Sequence, residues 1–322
     1  MKTAARLGVL VNTLAGKNRK RGGREIESLR KAAGAAALFV VTKDPQEVAT
    51  AIARLEDAGV THLAVSGGDG SYHALLTQWI NRKPQVALPK LIPLLGGSMN
   101  MVALEVGNGS DQTRTLGQVA RALAAGRPLE TLRRGTLRVD DPKAEQPRYG
   151  FVFVDGFVIR FLKHYYEGEK GPWPAFKNLL FFAWAALSNK PEHAHFFAPV
   201  RSVFRANGMD RTAYTFNAAA TIESVVFGFH LFREPPVAGE RFSFVNYRAP
   251  WLPMAALDMP NIFYLASRTG RYLPGIDARN GSAQEFALTG TDGYSLDGEL
   301  FAREKTDIRV SLGPVVEFIR VR

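Results

Sequence analysis

The sequence of 322 residues contains no cysteine. Disulfide bonds, thiolate metal sites and a cysteine nucleophile are therefore excluded. The sequence also lacks any apolar run of about 18–20 residues, which is the length that a transmembrane helix requires. Near the start of the chain Arg6 and Asn12 interrupt the apolar residues, which favours a buried first strand over a signal peptide and predicts a cytoplasmic protein.

The composition is that of a globular protein, with 46% hydrophobic and 22% charged residues. The length predicts two domains. The formal net charge is +11, and most of this excess precedes residue 130. A basic surface favours phosphates, anionic lipid headgroups or nucleic acid, and the charge alone does not choose among them.

Three glycines surround one aspartate in the stretch Val65–Ser71 (VSGGDGS). An apolar run, Leu63–Val65, precedes this stretch, and a helical pattern, Tyr72–Asn81, follows it. A strand, a glycine-rich turn and a helix can hold a phosphate, because the backbone N–H groups converge on an anion at the helix N-terminus. The alternative is an ordinary tight turn in which Asp69 caps the helix.

Strand and helix patterns alternate over the first part of the chain. Strands are predicted over 7–11, 37–41, 63–65 and 91–95, and helices over 25–33, 45–58, 72–81 and 111–125, of which the second has Asp44 as its N-cap and ends at Gly59. This alternation predicts a parallel sheet with helices on both faces, and ligands bind such sheets at the carboxyl ends of the strands. The basic run Lys17–Arg24 follows the first strand, where it is either a solvated face or part of a phosphate site.

The pattern changes after Arg127-Pro128 to short β segments separated by turn residues. These segments are 136–139, 149–154, 200–205, 212–219, 224–229, 241–247, 262–266, 285–288 and 308–312. They predict a mainly antiparallel β domain. We therefore expect a nucleotide-binding α/β domain over 1–130 and a β-rich, acceptor-binding domain over 131–322, whose C-terminal end is able to pack back on the first domain.

One predicted helix, Trp173–Ser188, interrupts the β domain and is apolar nearly all round. It is too short to span a bilayer. A helix of this kind is either a core or interdomain helix or a lipid-facing, interfacial element. The residues that would suit a membrane interface are Trp173, Trp184, Lys170, Lys177 and Lys190.

Four segments resemble motifs of the diacylglycerol kinase catalytic domain superfamily, which includes bacterial lipid kinases and sphingosine and ceramide kinases. Ser66–Ser71 resembles the family's GGDGT motif, and Asn12–Gly16 resembles its NPxSG turn. Gly97–Ala103 resembles GTxNDFA, and Leu296–Glu299 resembles the DGE segment that carries the proposed catalytic acids. The segments occur in the family's order, and together they span most of the length of the chain.

The resemblance implies an NAD kinase/diacylglycerol kinase-like α/β domain, and an ATP- and Mg²⁺-dependent kinase acting on a hydroxyl of diacylglycerol or a related lipid. The implied nucleotide-site residues are Asn12, Gly16, Lys17, Thr42, Gly67, Gly68, Asp69, Gly70, Ser71, Ser98 and Asn100. The implied catalytic residues are Glu299 as base, Asp297 in support, and Asp69. Asp69 is also the implied Mg²⁺ ligand, and Asp258 is the only candidate for a metal site in the β domain, with a loop-surface aspartate as its alternative.

The sequence departs from the family pattern at several positions. Thr13 and Ala15 replace proline and serine, Ser71 and Ser98 replace threonine, and Met101 replaces the aspartate of GTxND. These departures support a catalytically silent nucleotide- or lipid-binding regulator as an alternative. An NAD kinase-like enzyme is a second alternative, because its superfamily shares the GGDG loop.

The expected partner is a lipid substrate at a membrane surface, with peripheral association at the inner face. No stacking platform or helix-turn-helix pattern supports nucleic-acid binding. The oligomeric state is left open, a homodimer being one option.

Overall fold

The computed structural model describes residues 5–44, 46–84, 86–109, 111–168, 172–188, 190–223, 225, 230–249, 252–262, 269 and 272–321. The chain divides into two compact units. The first unit contains Met1–Arg134 together with Val315–Arg322, and the second contains Gly135–Pro314. The boundary that we predicted after residue 130 falls shortly before this division, within a single strand.

The first unit is built around a parallel sheet of four strands. These strands are β1 Leu7–Asn12, β2 Leu38–Thr42, β3 His62–Gly67 and β4 Lys90–Leu95. They lie in the order β4–β3–β1–β2, and every neighbouring pair is parallel. The predicted parallel sheet is therefore confirmed.

Six helices lie within the described residues of the first unit. They are α1 Gly16–Arg21, α2 Gly23–Ala33, α3 Glu47–Asp57, α4 Asp69–Arg82, α5 Met101–Val106 and α6 Gln112–Ala124. Two of them correct the sequence analysis, because the basic run after the first strand begins as helix α1, and α5 was not predicted. Asp111 caps α6 by accepting a hydrogen bond from the Arg114 amide at 3.0 Å.

The core of the first unit explains why its strands are continuous apolar runs. Val9 and Val11 of β1 and Ile92 of β4 are buried against Leu29 of α2 and Leu116 of α6. Helices cover the sheet, so its strands need no polar alternation. Because the four strands are parallel, the loops that follow them all leave from one edge of the sheet.

The second unit is mainly antiparallel. Its strands are β5 Glu130–Asp140, β6 Arg148–Gly150, β7 Val152–Gly156, β8 Val200–Ala206, β9 Met209–Tyr214, β10 Phe216–Ala220, β11 Phe242–Tyr247, β12 Ala278–Ala283, β13 Glu285–Leu296 and β14 Glu299–Arg320. The central order is β12–β11–β10–β7–β13–β14. The unit boundaries fall within β5 and β14, and in the first unit Phe318 of β14 pairs in parallel with Leu91 of β4.

Most of the predicted β segments coincide with these strands. The predicted segments 224–229 and 262–266 lie almost entirely outside the described residues. An aromatic cluster fills this unit, and Phe153 is central to it, since its ring centroid lies 5.5 Å from those of Phe286 and Tyr294. This cluster gives the second unit a hydrophobic core of its own.

Helices in the second unit were predicted only in part. They are α7 Phe157–Glu167, α8 Pro172–Ser188, α9 Ala194–Phe197 and α10 Leu252–Pro260, with a short 3₁₀ turn at Pro191–His193. The sequence analysis predicted α8 and missed the others. In the described part of the chain, no helix combines the length and apolar character needed to cross a bilayer.

Candidate functional site

The glycine-rich segment after β3 makes the predicted transition from strand to helix. β3 ends at Gly67, Gly68 is the extended N-cap residue, and α4 begins at Asp69. The Ser71 amide donates a hydrogen bond to the Gly68 carbonyl at 2.9 Å, which forms the first turn of the helix. The N-terminus of α4, with its positive dipole, therefore lies at the carboxyl edge of the sheet.

A second glycine segment, which follows β4, touches the first one backbone to backbone. A Cβ atom added to Gly97 would lie 2.3 Å from the Gly68 Cα atom and 3.0 Å from the Gly68 amide nitrogen. A Cβ atom on Gly96 would lie 2.8 Å from the Gly67 nitrogen. Side chains at these positions would force the two segments apart, so the close contact requires glycine.

The segment after β1 joins the same cluster. The Asn12 side-chain amide donates to the Ser71 hydroxyl at 2.9 Å, and the Lys17 backbone amide donates to the Gly96 carbonyl at 2.9 Å. A Cβ atom on Gly16 would lie 2.5 Å from the Ser98 hydroxyl oxygen. Three segments that are distant in sequence thus meet at one edge of the sheet, as the sequence analysis expected.

Asn100, one of the predicted nucleotide-site residues, fixes the shape of the second glycine segment. Its φ angle of 55° lies in the left-handed region, which asparagine tolerates. Its Oδ1 atom accepts from the Gly97 amide at 2.7 Å, and its Nδ2 atom donates to the Gly97 carbonyl at 2.9 Å. The side chain is buried, and both of its polar atoms are bonded to the loop itself.

The carboxylate of Asp69 also connects the two glycine segments. Asp69 is buried, and its Oδ1 atom accepts from the Val102 amide at 3.1 Å, in the first turn of α5. Burial raises the pKa of this carboxyl, and hydrogen bonds from backbone amides oppose that rise. The structure thus places Asp69 as a link between α4 and α5, so its expected role as a Mg²⁺ ligand remains a prediction.

A buried polar network, which the sequence analysis missed, connects the strand ends of the cluster to the helices beside them. The Asn18 side chain donates to the carbonyl oxygens of Asn12, at 2.8 Å, and Ser66, at 3.0 Å. The Ser66 hydroxyl donates to Gln112 Oε1 at 2.6 Å, and Gln112 Nε2 donates to Glu25 Oε1 at 3.1 Å. A satisfied network of this kind fixes the relative positions of the strand ends. Sequence offered no direct signal, because Asn18 lies inside a basic run.

Thr42, a predicted nucleotide-site residue at the end of β2, is bonded to the neighbouring strand and turn. Its hydroxyl is buried and donates to the Val11 carbonyl at 3.4 Å. Its own carbonyl accepts hydrogen bonds from the Thr13 amide at 3.0 Å and the Thr13 hydroxyl at 3.1 Å. The structure therefore shows Thr42 holding the turn after β1.

Asp297 and Gly298 form a two-residue turn between β13 and β14. Their φ angles are 53° and 87°, and Leu296 pairs with Glu299 across the turn. Positive φ at both central residues is typical of the type I′ hairpin turn that Asp-Gly favours. The local conformation is therefore the Asp-Gly hairpin turn.

The two acidic residues of this turn have different environments. The Asp297 carboxylate is buried, and its Oδ1 atom accepts from the amides of Phe151 and Val152, both at 2.9 Å. Glu299 is exposed. The Tyr166 hydroxyl donates to the Gly298 carbonyl at 2.6 Å, which ties α7 to the turn. Asp297 thus anchors the hairpin to the start of β7, while the Glu299 side chain stays accessible.

The expected surface position of Asp258 is wrong. Asp258 lies in α10, is buried, and accepts a hydrogen bond from the Tyr247 hydroxyl at 2.6 Å. A helix, rather than a loop, carries this residue. Within the described ranges, no group of three or more His, Asp or Glu side chains forms a metal site.

A further buried carboxyl in the second unit, that of Asp155, escaped the sequence analysis. Asp155, at the end of β7, has no solvent exposure, and it accepts hydrogen bonds from the Tyr214 hydroxyl at 2.5 Å and the Asn217 amide at 3.2 Å. Burial raises its pKa to about 7. It lies inside an apolar strand pattern, where nothing local marks it.

The cluster of the first unit fits a bound phosphate chain. Glycines bring backbone N–H groups to the N-terminus of α4, and Ser71, Ser98 and Lys17 are only partly buried around them. The glycine contact, which a single Cβ atom would break, holds the two glycine segments together at this edge. Backbone amides, hydroxyls and one lysine are the donors that nucleotide phosphates require. The first unit is thus an α/β domain with a glycine cluster at the carboxyl edge of its sheet, and the second unit is β-rich.

Comparisons with known proteins agree with this description. Residues 6–129 match the family model of the diacylglycerol kinase catalytic domain. A diacylglycerol kinase structure from Bacillus anthracis superimposes with a TM-score of 0.65 at 10% identity, covering 100% of this chain and 98% of that one. Yeast NADH kinase superimposes with a TM-score of 0.53 at 11% identity, covering 100% of this chain and 85% of that one. No curated protein sequence matches significantly.

The match of residues 6–129 to this family model bears out the predicted resemblance to the diacylglycerol kinase superfamily. The match covers all three segments of the glycine cluster. At such low identity the structural likenesses show the fold alone, and that fold is shared by diacylglycerol kinases and NADH kinase. The expected fold class is thereby confirmed as well.

Proposed function

We propose that this protein is a kinase that transfers the γ-phosphoryl group of ATP to a hydroxyl of diacylglycerol or a related lipid. The observation that carries the proposal is the backbone contact between Gly68 and Gly97 at the N-terminus of α4. This contact builds a phosphate cradle within the part of the chain that matches the diacylglycerol kinase family.

Phosphoryl transfer depends mainly on positioning and on stabilising negative charge. Bound ATP supplies the transferred group. In this chain, the amides of Gly68–Gly70 and the hydroxyls of Ser71 and Ser98 would hold its phosphates, with Lys17 adding a positive charge. Mg²⁺ in kinase sites is held by one or two carboxylates together with the substrate phosphates, and Asp69 would be the residue of this cluster that holds it.

The acceptor hydroxyl must lose its proton during transfer, and Glu299 is the proposed base. Its side chain is exposed, so an acceptor can reach it. Asp297 cannot serve equally well, because its carboxylate already accepts hydrogen bonds from Phe151 and Val152. We therefore propose that Asp297 positions the hairpin that carries Glu299.

An NAD kinase-like activity is the second candidate, and the fold of yeast NADH kinase supports it. The two activities share the ATP cradle and differ in the acceptor. A catalytically silent regulator is the third reading. Met101, which replaces the family's aspartate, is its main support.

Transfer of labelled γ-phosphate from ATP to a panel of acceptors tests the proposal. The panel contains diacylglycerol, ceramide and sphingosine in mixed micelles, together with NAD and NADH. Labelling of one lipid class supports the proposal and names the acceptor. Labelling of NAD or NADH alone would favour the second candidate, and ATP binding without any labelled product would favour the silent regulator.

A further inference from the structure

Helix α8 has two apolar faces, of which only one is covered. Its inner face is buried through Ala175, Phe182, Ala185 and Ala186. The Phe182 ring lies 5.4 Å from the rings of Phe157 and Phe161 of α7, measured between centroids. This inner face therefore belongs to the core of the second unit.

The outer face carries five large apolar side chains at helical spacing. Their exposed fractions range from 40% to 64%, and they are Trp173, Phe176, Leu180, Trp184 and Leu187. Steps of three and four residues place them on one narrow stripe along the helix. We call these five residues the α8 stripe. Monomeric soluble proteins rarely expose so many large apolar groups together without a binding partner.

Charge around the α8 stripe is positive. Lys177 Nζ lies 5.8 Å from the ring centroid of Trp173, and Lys190 Nζ lies 5.6 Å from that of Trp184. Helix α8 itself contains no acidic residue. The exposed Glu192 lies beside one of these lysines, with its Oε1 atom 3.7 Å from Lys190 Nζ. The stripe therefore carries a lysine close to each of its two tryptophans.

Tryptophan and lysine have matching preferences at a lipid surface. Tryptophan side chains are enriched at the boundary between the hydrocarbon core and the headgroups. Lysine side chains extend toward the headgroups and are attracted to anionic lipids. The length of α8, 17 residues, and its covered inner face fit a helix lying parallel to the surface rather than one crossing the bilayer.

We propose that the α8 stripe docks this protein on an anionic membrane, with α8 lying in the headgroup layer. A partner protein would fit an apolar stripe, but the two tryptophan–lysine pairs and the absence of acidic residues in the helix favour lipid. The inference rests on the proposed function and extends it, because docking would bring a lipid kinase to the membrane that contains its acceptor. It is tested without nucleotide, so its outcome is independent of catalysis.

The experiment measures sedimentation of the full-length protein with vesicles of phosphatidylcholine alone or with added phosphatidylserine. Three variants are compared with the natural sequence. The first combines Trp173→Ser, Leu180→Ser and Trp184→Ser, and the second combines Lys177→Glu and Lys190→Glu. The matched control combines Val86→Ser and Leu273→Ser, which are also more than half exposed but lie outside the α8 stripe.

We expect the stripe variant to lose about tenfold or more in partitioning on both vesicle types, because it loses buried apolar area. The lysine variant should lose only the preference for phosphatidylserine, and this preference should weaken with salt. The control should match the natural sequence. Circular dichroism and melting temperature verify the fold of each variant, and substitution of exposed side chains should leave both unchanged.

Three results would overturn the docking proposal. The natural protein could fail to bind vesicles, or the stripe variant could bind as well as the control. The natural protein could also be a dimer that the stripe substitutions dissociate, which would make a second copy the occupant. Phosphorylation of a short-chain, water-soluble diacylglycerol separates the two proposals. The stripe variant should keep this activity if the kinase proposal holds, whether or not it binds vesicles.

Discussion

Substitution of Gly97 by alanine tests the glycine contact that underlies the candidate site. The added Cβ atom would lie 2.3 Å from the Gly68 Cα atom, whereas two carbon atoms in contact are about 3.5 Å apart. The added Cβ atom would clash with a backbone atom, so no side-chain rotation relieves the clash. The two glycine segments must separate by about 1 Å, and a misplacement of that size in a binding site can cost about 100-fold in rate.

Two further glycines give this prediction an internal scale. A Cβ atom on Gly68 would lie 3.2 Å from the Gly97 Cα atom, which a shift of a few tenths of an ångström relieves. A Cβ atom on Gly23, in the first turn of α2, meets nothing within 4 Å. We therefore expect the loss to be large for Gly97→Ala, smaller for Gly68→Ala and absent for Gly23→Ala.

The assay is kcat/KM for ATP, measured together with the ATP dissociation constant and the melting temperature of each variant. We expect ATP affinity and kcat/KM to fall most for Gly97→Ala, less for Gly68→Ala and not at all for Gly23→Ala. If Gly97→Ala stayed within about twofold of the natural protein at an unchanged melting temperature, the cradle would not be the phosphate site.

Four other substitutions test the carboxylates, three of which are buried and one of which, Glu299, is exposed. Asp69→Ala should abolish turnover. It should also lower the free energy of unfolding by about 1–3 kcal/mol in urea titrations, because the Val102 amide loses its acceptor. An unchanged kcat would contradict the placement of Asp69 in the site. Asp297→Ala should lower the free energy of unfolding by roughly 2–4 kcal/mol, because the amides of Phe151 and Val152 lose their acceptor. Glu299→Gln should leave stability unchanged and lower kcat more than it weakens ATP binding. A loss confined to KM would argue against a role of Glu299 as base. The Asp155 carboxyl, with its pKa raised from 3.8 to about 7, holds an extra proton in the folded state, so its contribution to stability falls as the pH rises through that interval. Asp155→Asn should therefore raise the melting temperature more at pH 8 than at pH 5, and an equal effect at both would refute the shift.

Local sequence patterns predicted the strand–glycine–helix segment because its information is local. The apolar run before Gly67 and the helical spacing after Ser71 each lie within one element. The parallel sheet followed from the alternation of such elements. The meeting of the Asn12, Gly67 and Gly97 segments followed in turn, because parallel strands end at one edge.

Partners distant in sequence could not be predicted in this way. Asp69 bonds the Val102 amide, 33 residues away, and Asp297 bonds the Phe151 amide, 146 residues away. Neither acceptor role leaves a mark in the residues beside it. The same acidic side chains are compatible with metal binding, base catalysis or backbone anchoring until the fold brings their partners to them.

Helix α8 shows a second limit of pattern reading. Its residues are apolar on all sides, so periodicity does not tell which side the core covers. The structure covers Phe182 and leaves Trp173 and Trp184 exposed. The sequence analysis had left a core helix and a lipid-facing helix as alternatives, and α8 has a core face opposite an exposed one.

The most direct test of the account is the initial rate of lipid phosphorylation from ATP in mixed micelles, for the natural protein, Gly97→Ala and Gly23→Ala. We expect a phosphorylated lipid with the natural protein and with Gly23→Ala. The initial rate with Gly97→Ala should be about 100-fold lower than that of the natural protein. Equal rates for all three proteins, or no lipid product while ATP binds normally, would contradict the account.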